Sequence, residues 1–353
     1  LFLSYGDTQL PEIKALNFNA DNAFIIEPSV RHDTISYWLR DTTLVNQDTL
    51  SIAMTYRTTD TLGTLVTQCD TLQLLAKRPY ARRQKDAAKE YEDWHKKQEK
   101  KRKRGQPYDS IMPPKSLQMR INTQSTIEPD RDIIFSFDRP IAIADTSKIH
   151  LYAKQDSLWY DTPLRVRPVS ERIPGDTTRA AILSLRNYEL RAEWQPDTEY
   201  SLELDSMAFV DIYGLVTPPI KQGIKVQSLD EYSSLIFTLS KQGDTHFVVE
   251  LLNQQGDPVK RTTAIDGTAQ FYYITPGKYY ARMFADDNNN GVWDTGDYAA
   301  GLQPEMMYYY PDEIECKAKW DVTLDWNPTA RPLDKQKPAK ITKQKAEKQR
   351  KIR

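Results

Sequence analysis

The stretch "GTAQFYYITPGKYYARMF", residues 267–284, contains two runs rich in aromatic and β-branched side chains that are separated by Thr-Pro-Gly. Runs of this composition, bounded by turn residues, are typical of β-strands. Similar short runs recur along most of the chain, such as "TLSIAMTYR" at 49–57 and "KAKWDVTLDW" at 317–326. The sequence therefore predicts an all-β protein.

The chain has 353 residues, which is more than one small core needs and favours several modules. Hydrophobic residues make up 39% and aromatic residues 10%, a composition that argues against a disordered chain. Changes in pattern predict five parts: a β-sandwich module at 1–76, a basic helical insertion and linker at 77–112, a second β-sandwich at 113–228, a third β module at 229–330, and a basic tail at 331–353.

Residues 77–112 differ from their surroundings because they are rich in helix-forming side chains until Gly105 and Pro107. We expect one long polar helix from about residue 79 to 103. The tail is rich in Lys and Gln and has no apolar period, so we expect it to be flexible in isolation and to become ordered on a partner, with Ile341 and Ile352 as anchors.

Charge is unevenly distributed along the chain, whose net charge is −1. Residues 77–104 carry 13 Lys and Arg against 5 Asp and Glu, and residues 331–353 carry 10 against 2. Each segment is therefore +8, which leaves −17 on the remainder. Basic runs attract polyanions, but the acidic body and the lack of a base-stacking aromatic platform argue against nucleic acid. Anionic lipid, lipopolysaccharide or an acidic protein is the predicted partner, and a merely solvated helix face remains the alternative.

Residues with catalytic potential are scattered along the sequence. The four histidines, His32, His95, His150 and His246, lack zinc-ligand spacing, and there is no G-x-S-x-G motif or glycine-rich phosphate loop. We expect a non-enzymatic protein, although a carboxylate pair that meets only in space stays open. Cys69 and Cys316 have no C-x-x-C spacing and are predicted to be buried thiols, with a bridge between them as the alternative.

One polar loop, "DDNNNGVWDTGD" at 286–297, has the spacing of a calcium site. Counted from Asp286, positions 1, 3, 5, 7, 9 and 12 are those at which a calcium loop supplies oxygen ligands, and position 6 is the glycine that permits the sharp turn. The predicted ligands are Asp286, Asn288, Asn290, the main chain of Val292, Asp294 and Asp297. Asp297 stands where Glu is usual and is one methylene shorter, which predicts weaker binding. The alternative is a polar hairpin loop in which Asn and Gly supply the turns.

The aromatic residues near the end of the third module allow two interpretations. Tyr308, Tyr309, Tyr310, Trp320 and Trp326 could form an exposed platform for carbohydrate, or they could fill the core of a β-sandwich. A carbohydrate-binding protein should expose a flat row of rings, whereas a scaffold should bury them.

Two stretches carry a family resemblance. "IEPDRDIIFSFDRPIAIADTSKIHLY" at 127–152, with "WQPDTEYSLELDSMAFVDIYG" at 194–214, resembles the SbsA-type bacterial Ig-like domain. Residues 267–298 resemble the prealbumin-like, carboxypeptidase-regulatory type of β module, and the order of modules is similar to Ig-like-domain lipoproteins of Bacteroidota. The resemblance implies tandem Ig-like and prealbumin-like β-sandwiches with one inserted basic α-helix.

For function, the resemblance implies a non-enzymatic scaffold lipoprotein of the bacterial envelope. Such a protein would be an accessory subunit of an outer-membrane assembly or transport complex, anchored through a segment that precedes this chain. A glycan-binding accessory module on the cell surface is the alternative function.

Overall fold

The computed structural model describes residues 1–3, 9–30, 32–123, 125–171, 181–240, 245–296 and 301–342. Over these residues it contains 24 β-strands and one α-helix, which confirms the predicted all-β class with a single inserted helix. Each multi-stranded sheet draws its strands from one of the three predicted β modules. No helix among the described residues is long and apolar enough to cross a membrane.

The first module consists of five strands in two small sheets. β4 lies between β1 and β5 in one sheet, and β2 pairs with β3 in the other. Along β4, Leu50, Ile52 and Met54 are buried in alternation, as expected when one face of a strand covers a core. The strands are β1 (Glu12–Ala15), β2 (Phe24–Pro28), β3 (Ile35–Leu39), β4 (Thr49–Thr59) and β5 (Leu65–Leu75).

Helix α1 (Tyr80–Lys103) follows the first module and agrees with the predicted bounds. It has no buried residue, and at 24 residues it is about 36 Å long. The chain then returns along the helix: the main-chain N–H of Asp109 donates to Gln98 at 3.1 Å, and Lys115 pairs with Glu90 at 2.8 Å. We call residues 80–115 the arm.

The second module is a β-sandwich with sheets of five and four strands, in the orders β11-β10-β14-β16-β7 and β12-β13-β8-β6, and a β15-β9 pair. In its core the ring of Phe209 contacts those of Phe135, Phe137 and Tyr188, and Phe137 also contacts Tyr188. The strands are β6 (Met119–Ile121), β7 (Thr126–Ile127), β8 (Ile133–Phe137), β9 (Ile141–Ala144), β10 (Ile149–Gln155), β11 (Leu158–Asp161), β12 (Leu164–Glu171), β13 (Ile182–Ala192), β14 (Glu199–Leu204), β15 (Phe209–Asp211) and β16 (Ile220–Val226).

The third module packs the sheet β20-β17-β24 against β19-β18-β21-β22, with β23 also paired to β21. Its first and last strands, β17 and β24, are parallel neighbours, so the end of the module closes onto its beginning. The strands are β17 (Ser233–Leu239), β18 (Phe247–Leu252), β19 (Pro258–Thr263), β20 (Thr268–Ile274), β21 (Gly277–Ala285), β22 (Met307–Tyr309), β23 (Ile314–Cys316) and β24 (Asp321–Trp326).

Two of the five aromatic residues near the end of the third module, Tyr310 and Trp326, pack in its core. Tyr310 and Trp326 contact each other at 5.5 Å between ring centroids, and both contact Phe237. Trp326 is buried, whereas Trp320 is half-exposed beneath Lys317. The interpretation of these rings as core is confirmed for Tyr310 and Trp326, and the five residues do not share one exposed face.

The prediction that the tail lacks structure of its own is wrong for residues 331–342. Ile341 is 4% exposed and packs against Leu252 and Tyr280 of the third module. Gln336 is also buried and donates to the carbonyls of Pro328 and Arg331 at 2.7 and 2.8 Å. These contacts depend on residues that are distant in sequence, which is why composition alone indicated a flexible segment. Ile352 lies outside the described residues.

An ion pair holds the docked tail at its edge. Lys340 pairs with Glu313 at 2.8 Å, and Lys278 pairs with the same carboxylate at 2.6 Å. Hydrogen bonds from Lys278, Lys340 and Tyr280 lower the pKa of Glu313 to about 2. The carboxylate therefore stays charged at neutral pH and keeps both lysines in place.

The two cysteines differ in their surroundings. Cys316 is buried in the third module, and burial raises the pKa of its thiol. Cys69 is exposed on β5, so the prediction of two buried thiols is wrong for this residue. Cys69 lies opposite Thr55, whereas its neighbour Asp70 lies opposite the buried Met54, so Cys69 is on the face of the strand that points away from the small first core.

Specific side chains connect successive modules. Between the first and second modules, Arg186 donates to both carboxylate oxygens of Glu27 at 3.0 Å, and Trp38 donates to the same carboxylate at 2.9 Å. Between the second and third, Lys260 pairs with Asp130 at 2.8 Å. Tyr232 is buried beside this second joint, and burial together with nearby carboxylates raises its pKa to about 12. Each joint therefore consists of specific contacts between side chains of the two neighbouring modules.

Candidate metal centre

The predicted calcium loop leaves the third module at the end of β21. Asp286 directly follows that strand, is 1% exposed, and donates its main-chain N–H to the carbonyl of His246 at 2.8 Å. The sheet therefore fixes the first predicted ligand at the base of the loop.

The first half of the loop is a tight turn around three side chains. The carboxylate of Asp286 accepts main-chain N–H groups from Asn290 and Gly291, both at 2.8 Å. The side-chain oxygen of Asn290 accepts the N–H of Val292 at 2.7 Å, and that of Asn288 accepts the N–H of Asn290 at 3.1 Å. Gly291 has φ +75°, a conformation that glycine adopts without strain.

Asp294 gathers the asparagine side chains. One of its carboxylate oxygens accepts the amide of Asn288 at 2.6 Å and the amide of Asn290 at 2.9 Å. The structure thus joins Asp286, Asn288, Asn290 and Asp294 in one hydrogen-bonded network, which Val292 enters through its main-chain N–H.

Glu305 is a residue of this loop that sequence reasoning missed. It is 9% exposed, and its carboxylate accepts the N–H groups of Asp287 and Asp294, each at 3.0 Å. Its own carbonyl accepts the indole N–H of Trp293 at 2.8 Å. Glu305 therefore holds both halves of the loop from outside the motif. The sequence feature that could have indicated Glu305 is its position as a charged residue within the largely apolar stretch 302–310.

A buried ion cluster supports the loop from the sheet. Glu250 is 1% exposed and lies between Arg261 and Arg282, with its second oxygen 2.6 Å from Nε of Arg282. Burial alone would lower the pKa of Arg282, but the hydrogen bond and charge of Glu250 outweigh burial and raise it. Arg261 also donates to the carbonyl of Gly291 at 3.0 Å, which connects the cluster to the loop.

The end of the loop contacts the segment that returns to β22. Gly296 has φ +78°, and a Cβ there would lie 2.6 Å from the carbonyl oxygen of Leu302. Only glycine fits this position without a backbone shift. The last predicted ligand, Asp297, lies outside the described residues.

The donor chemistry of the loop suits a hard cation. Carboxylate and amide oxygens are the ligands that Ca²⁺ prefers, although Oδ2 of Asp294 already accepts two amide N–H groups, which a cation there would displace. Within the described residues, no group of three or more His, Cys, Asp or Glu side chains is arranged to hold a metal ion. A cation at this loop would therefore depend on the amide and main-chain oxygens as well as on Asp286 and Asp294.

Comparisons with known proteins show only distant likeness. No protein-family model matches the sequence, and no curated protein matches it. Among solved structures, the Bacillus anthracis TIE protein is 11% identical, with 62% of this chain and 41% of that chain covered and a TM-score of 0.19. Native alpha-2-macroglobulin from Escherichia coli, spanning domains MG0-NIE-MG1, is 12% identical, with coverages of 56% and 71% and a TM-score of 0.23.

A third solved structure contains fibronectin(III)-like modules of Clostridium thermocellum CbhA. It is 7% identical, with 59% of this chain and 95% of that chain covered and a TM-score of 0.15. TM-scores this low carry no argument about function. The function must therefore be argued from the residues of this chain.

Proposed function

We propose that this chain is a non-enzymatic modular scaffold that holds partners at a bacterial envelope surface. The observation that carries the proposal is the arm. Its 24-residue helix buries no side chain, and seven of the nine residues at 96–104 are Lys or Arg. A projecting element of this kind adds little to a core, since helices in proteins are stabilised mainly by packing. Its charge suits long-range, salt-sensitive attraction to an anionic surface.

The joints between modules support the scaffold role. In the Arg186–Glu27 pair the N–H of Nε is shared between both carboxylate oxygens, and the guanidinium also lies 5.6 Å from the ring centre of Trp38. Two donors, this N–H and the indole N–H of Trp38, therefore meet on one carboxylate. Together with the Lys260–Asp130 pair, they would hold successive modules in a defined arrangement, which a scaffold needs in order to present several surfaces at once.

The resemblance to Bacteroidota envelope lipoproteins motivates the finer proposal. In this proposal the chain is an outer-membrane or cell-surface lipoprotein, anchored through a segment outside this sequence, and its partners are envelope proteins or anionic lipid. An accessory role in an outer-membrane assembly or transport complex follows from the same resemblance.

Co-purification from native membranes tests the scaffold proposal. The tagged full-length protein should recover a reproducible set of envelope proteins in mild detergent. A variant with Lys100, Lys101, Arg102, Lys103 and Arg104 changed to Gln should recover less of that set at low salt. Recovery of the same material by intact and changed protein, at every salt concentration, would contradict a scaffold that acts through its arm.

Calcium binding at the 286–297 loop is our second proposal, and its role would be rigidity. Support comes from the convergence of Asp286, Asn288, Asn290 and Asp294 in one network. A cation that binds the folded state must stabilise it, by about 2.7 kcal/mol at a hundredfold excess over the dissociation constant. Millimolar calcium is therefore expected to raise the melting temperature of the third module by several degrees.

Paired variants make the calcium test specific. Asp294→Asn should remove the stabilisation, because it deletes the charge to which both asparagine amides converge. Asp287→Asn is the matched control, since Asp287 is exposed and is not a predicted ligand. Isothermal titration that shows no heat with the intact protein, together with unchanged melting in calcium, would count against the site.

A further inference from the structure

The first module contains an open cleft that its small core does not fill. Its volume is about 540 Å³, within the range of small-molecule pockets. Both sheets contribute apolar walls, which include Phe24, Leu39, Leu44, Leu50, Leu74 and Leu75. Leu75 is 73% exposed at its edge, so the cleft leaves apolar surface in contact with solvent.

Basic side chains line the same cleft. Lys77, Arg78 and Arg83 contribute to it, and no acidic residue does. Among the described residues, Arg78 has only the distant carboxylate of Asp86 at 3.9 Å. Arg83 donates to the carbonyl of Val45 and forms no ion pair within the described part of the chain. The cleft therefore combines an apolar interior with a lining of net positive charge.

Two polar atoms in the walls lack partners. The hydroxyl of Tyr37 and Nε of Arg83 are both buried, and neither has a hydrogen bond within the described residues. Burial raises the pKa of Tyr37, which keeps its hydroxyl protonated and able to donate. Buried donors without acceptors are costly and uncommon in folded proteins. Because both residues line the cleft, an anionic acceptor bound there would supply the kind of partner that each donor lacks.

We propose that this cleft binds an amphiphile that has an apolar chain and an anionic head group. The leucine and phenylalanine walls contact the chain, and Arg83 and Tyr37 contact the head. Carboxylate and phosphate both match the forked donors of a guanidinium. The proposal is independent of the basic tip of the arm, residues 100–104, and of the calcium loop, because no residue of the cleft belongs to that tip or to 286–297.

Binding of defined amphiphiles to the full chain tests the proposal. Palmitate represents a free carboxylate, hexadecyl phosphate a lipid phosphate, and hexadecyl maltoside an uncharged amphiphile, each used below the concentration at which it forms micelles. Isothermal titration should show saturable one-to-one binding of at least one anionic probe. Tighter binding of palmitate would identify the head group as a carboxylate, and tighter binding of hexadecyl phosphate would identify it as a phosphate. The uncharged probe should bind about tenfold more weakly, as expected for loss of a charged hydrogen bond.

Variants locate the site. Arg83→Gln should weaken binding of the anionic probe by about tenfold. Lys77→Gln should weaken its binding less and should leave the core unchanged, since Lys77 is exposed. Arg82→Gln is the matched control, because Arg82 is exposed on the same helix and does not line the cleft. Absence of saturable binding, or equal affinity in the intact protein and in both cleft variants, would overturn the proposal.

Discussion

Changing Lys100, Lys101, Arg102, Lys103 and Arg104 together to Gln is expected to weaken binding to anionic vesicles by several thousandfold, about 3.6 orders of magnitude, at low salt. Each basic residue near an anionic lipid surface contributes about 1 kcal/mol, and each 1.4 kcal/mol corresponds to about tenfold in affinity. Because α1 has no buried residue, its tip is accessible to such a surface. The measurement is co-sedimentation with vesicles of phosphatidylglycerol and phosphatidylcholine over a range of salt concentrations.

A control on the same helix separates position from total charge. Changing Arg82, Lys85 and Lys89 to Gln removes three exposed charges near the base of the arm and should have a much smaller effect per charge. The tip residues also lie at the C-terminal end of α1, where positive charge favours the helix, so helix content must be compared by circular dichroism. Equal sedimentation of the intact and tip-changed proteins would show that the arm does not contact lipid.

Replacing Glu250 by Ala is expected to destabilise the third module by about 3–5 kcal/mol, as is usual when one partner of a buried ion pair is removed. Glu250 is 1% exposed and contacts two arginines, so the change would leave both cations without a counter-charge. Urea unfolding monitored by fluorescence measures the loss. Glu315→Ala is the control, because Glu315 is exposed and its pair with Lys317, at 3.5 Å, is solvated.

Replacing Glu250 by Ala should also affect the calcium loop at 286–297. Arg261 contacts both Glu250 and the carbonyl of Gly291, so the change should also loosen the calcium loop. A loss of stability below about 1 kcal/mol, the range of exposed ion pairs, would show that the cluster is relaxed by solvent and does not support the loop.

Local pattern was sufficient to predict some features of this protein. Alternation of apolar residues predicted strands such as β4, and the helix-forming, highly charged run that ends at Gly105 predicted α1 within a residue or two. The spacing of Asp286, Asn288, Asn290 and Gly291 predicted a tight oxygen-rich turn, which the structure contains. These features depend on residues within a few positions of one another, where backbone sterics and short-range hydrogen bonds dominate.

Contacts between distant residues were decided by the tertiary structure alone. Glu305 reaches Asp287 across 18 positions, Ile341 docks on Leu252 and Tyr280, and β17 lies parallel to β24, about 90 residues later in the chain. Nothing in the local composition of the tail distinguishes Ile341 as a core residue. By itself the sequence determined the elements, because their periodicity is local. How these elements pack, and which partners buried polar groups such as Glu250 and Gln336 find, depends on which surfaces meet in space.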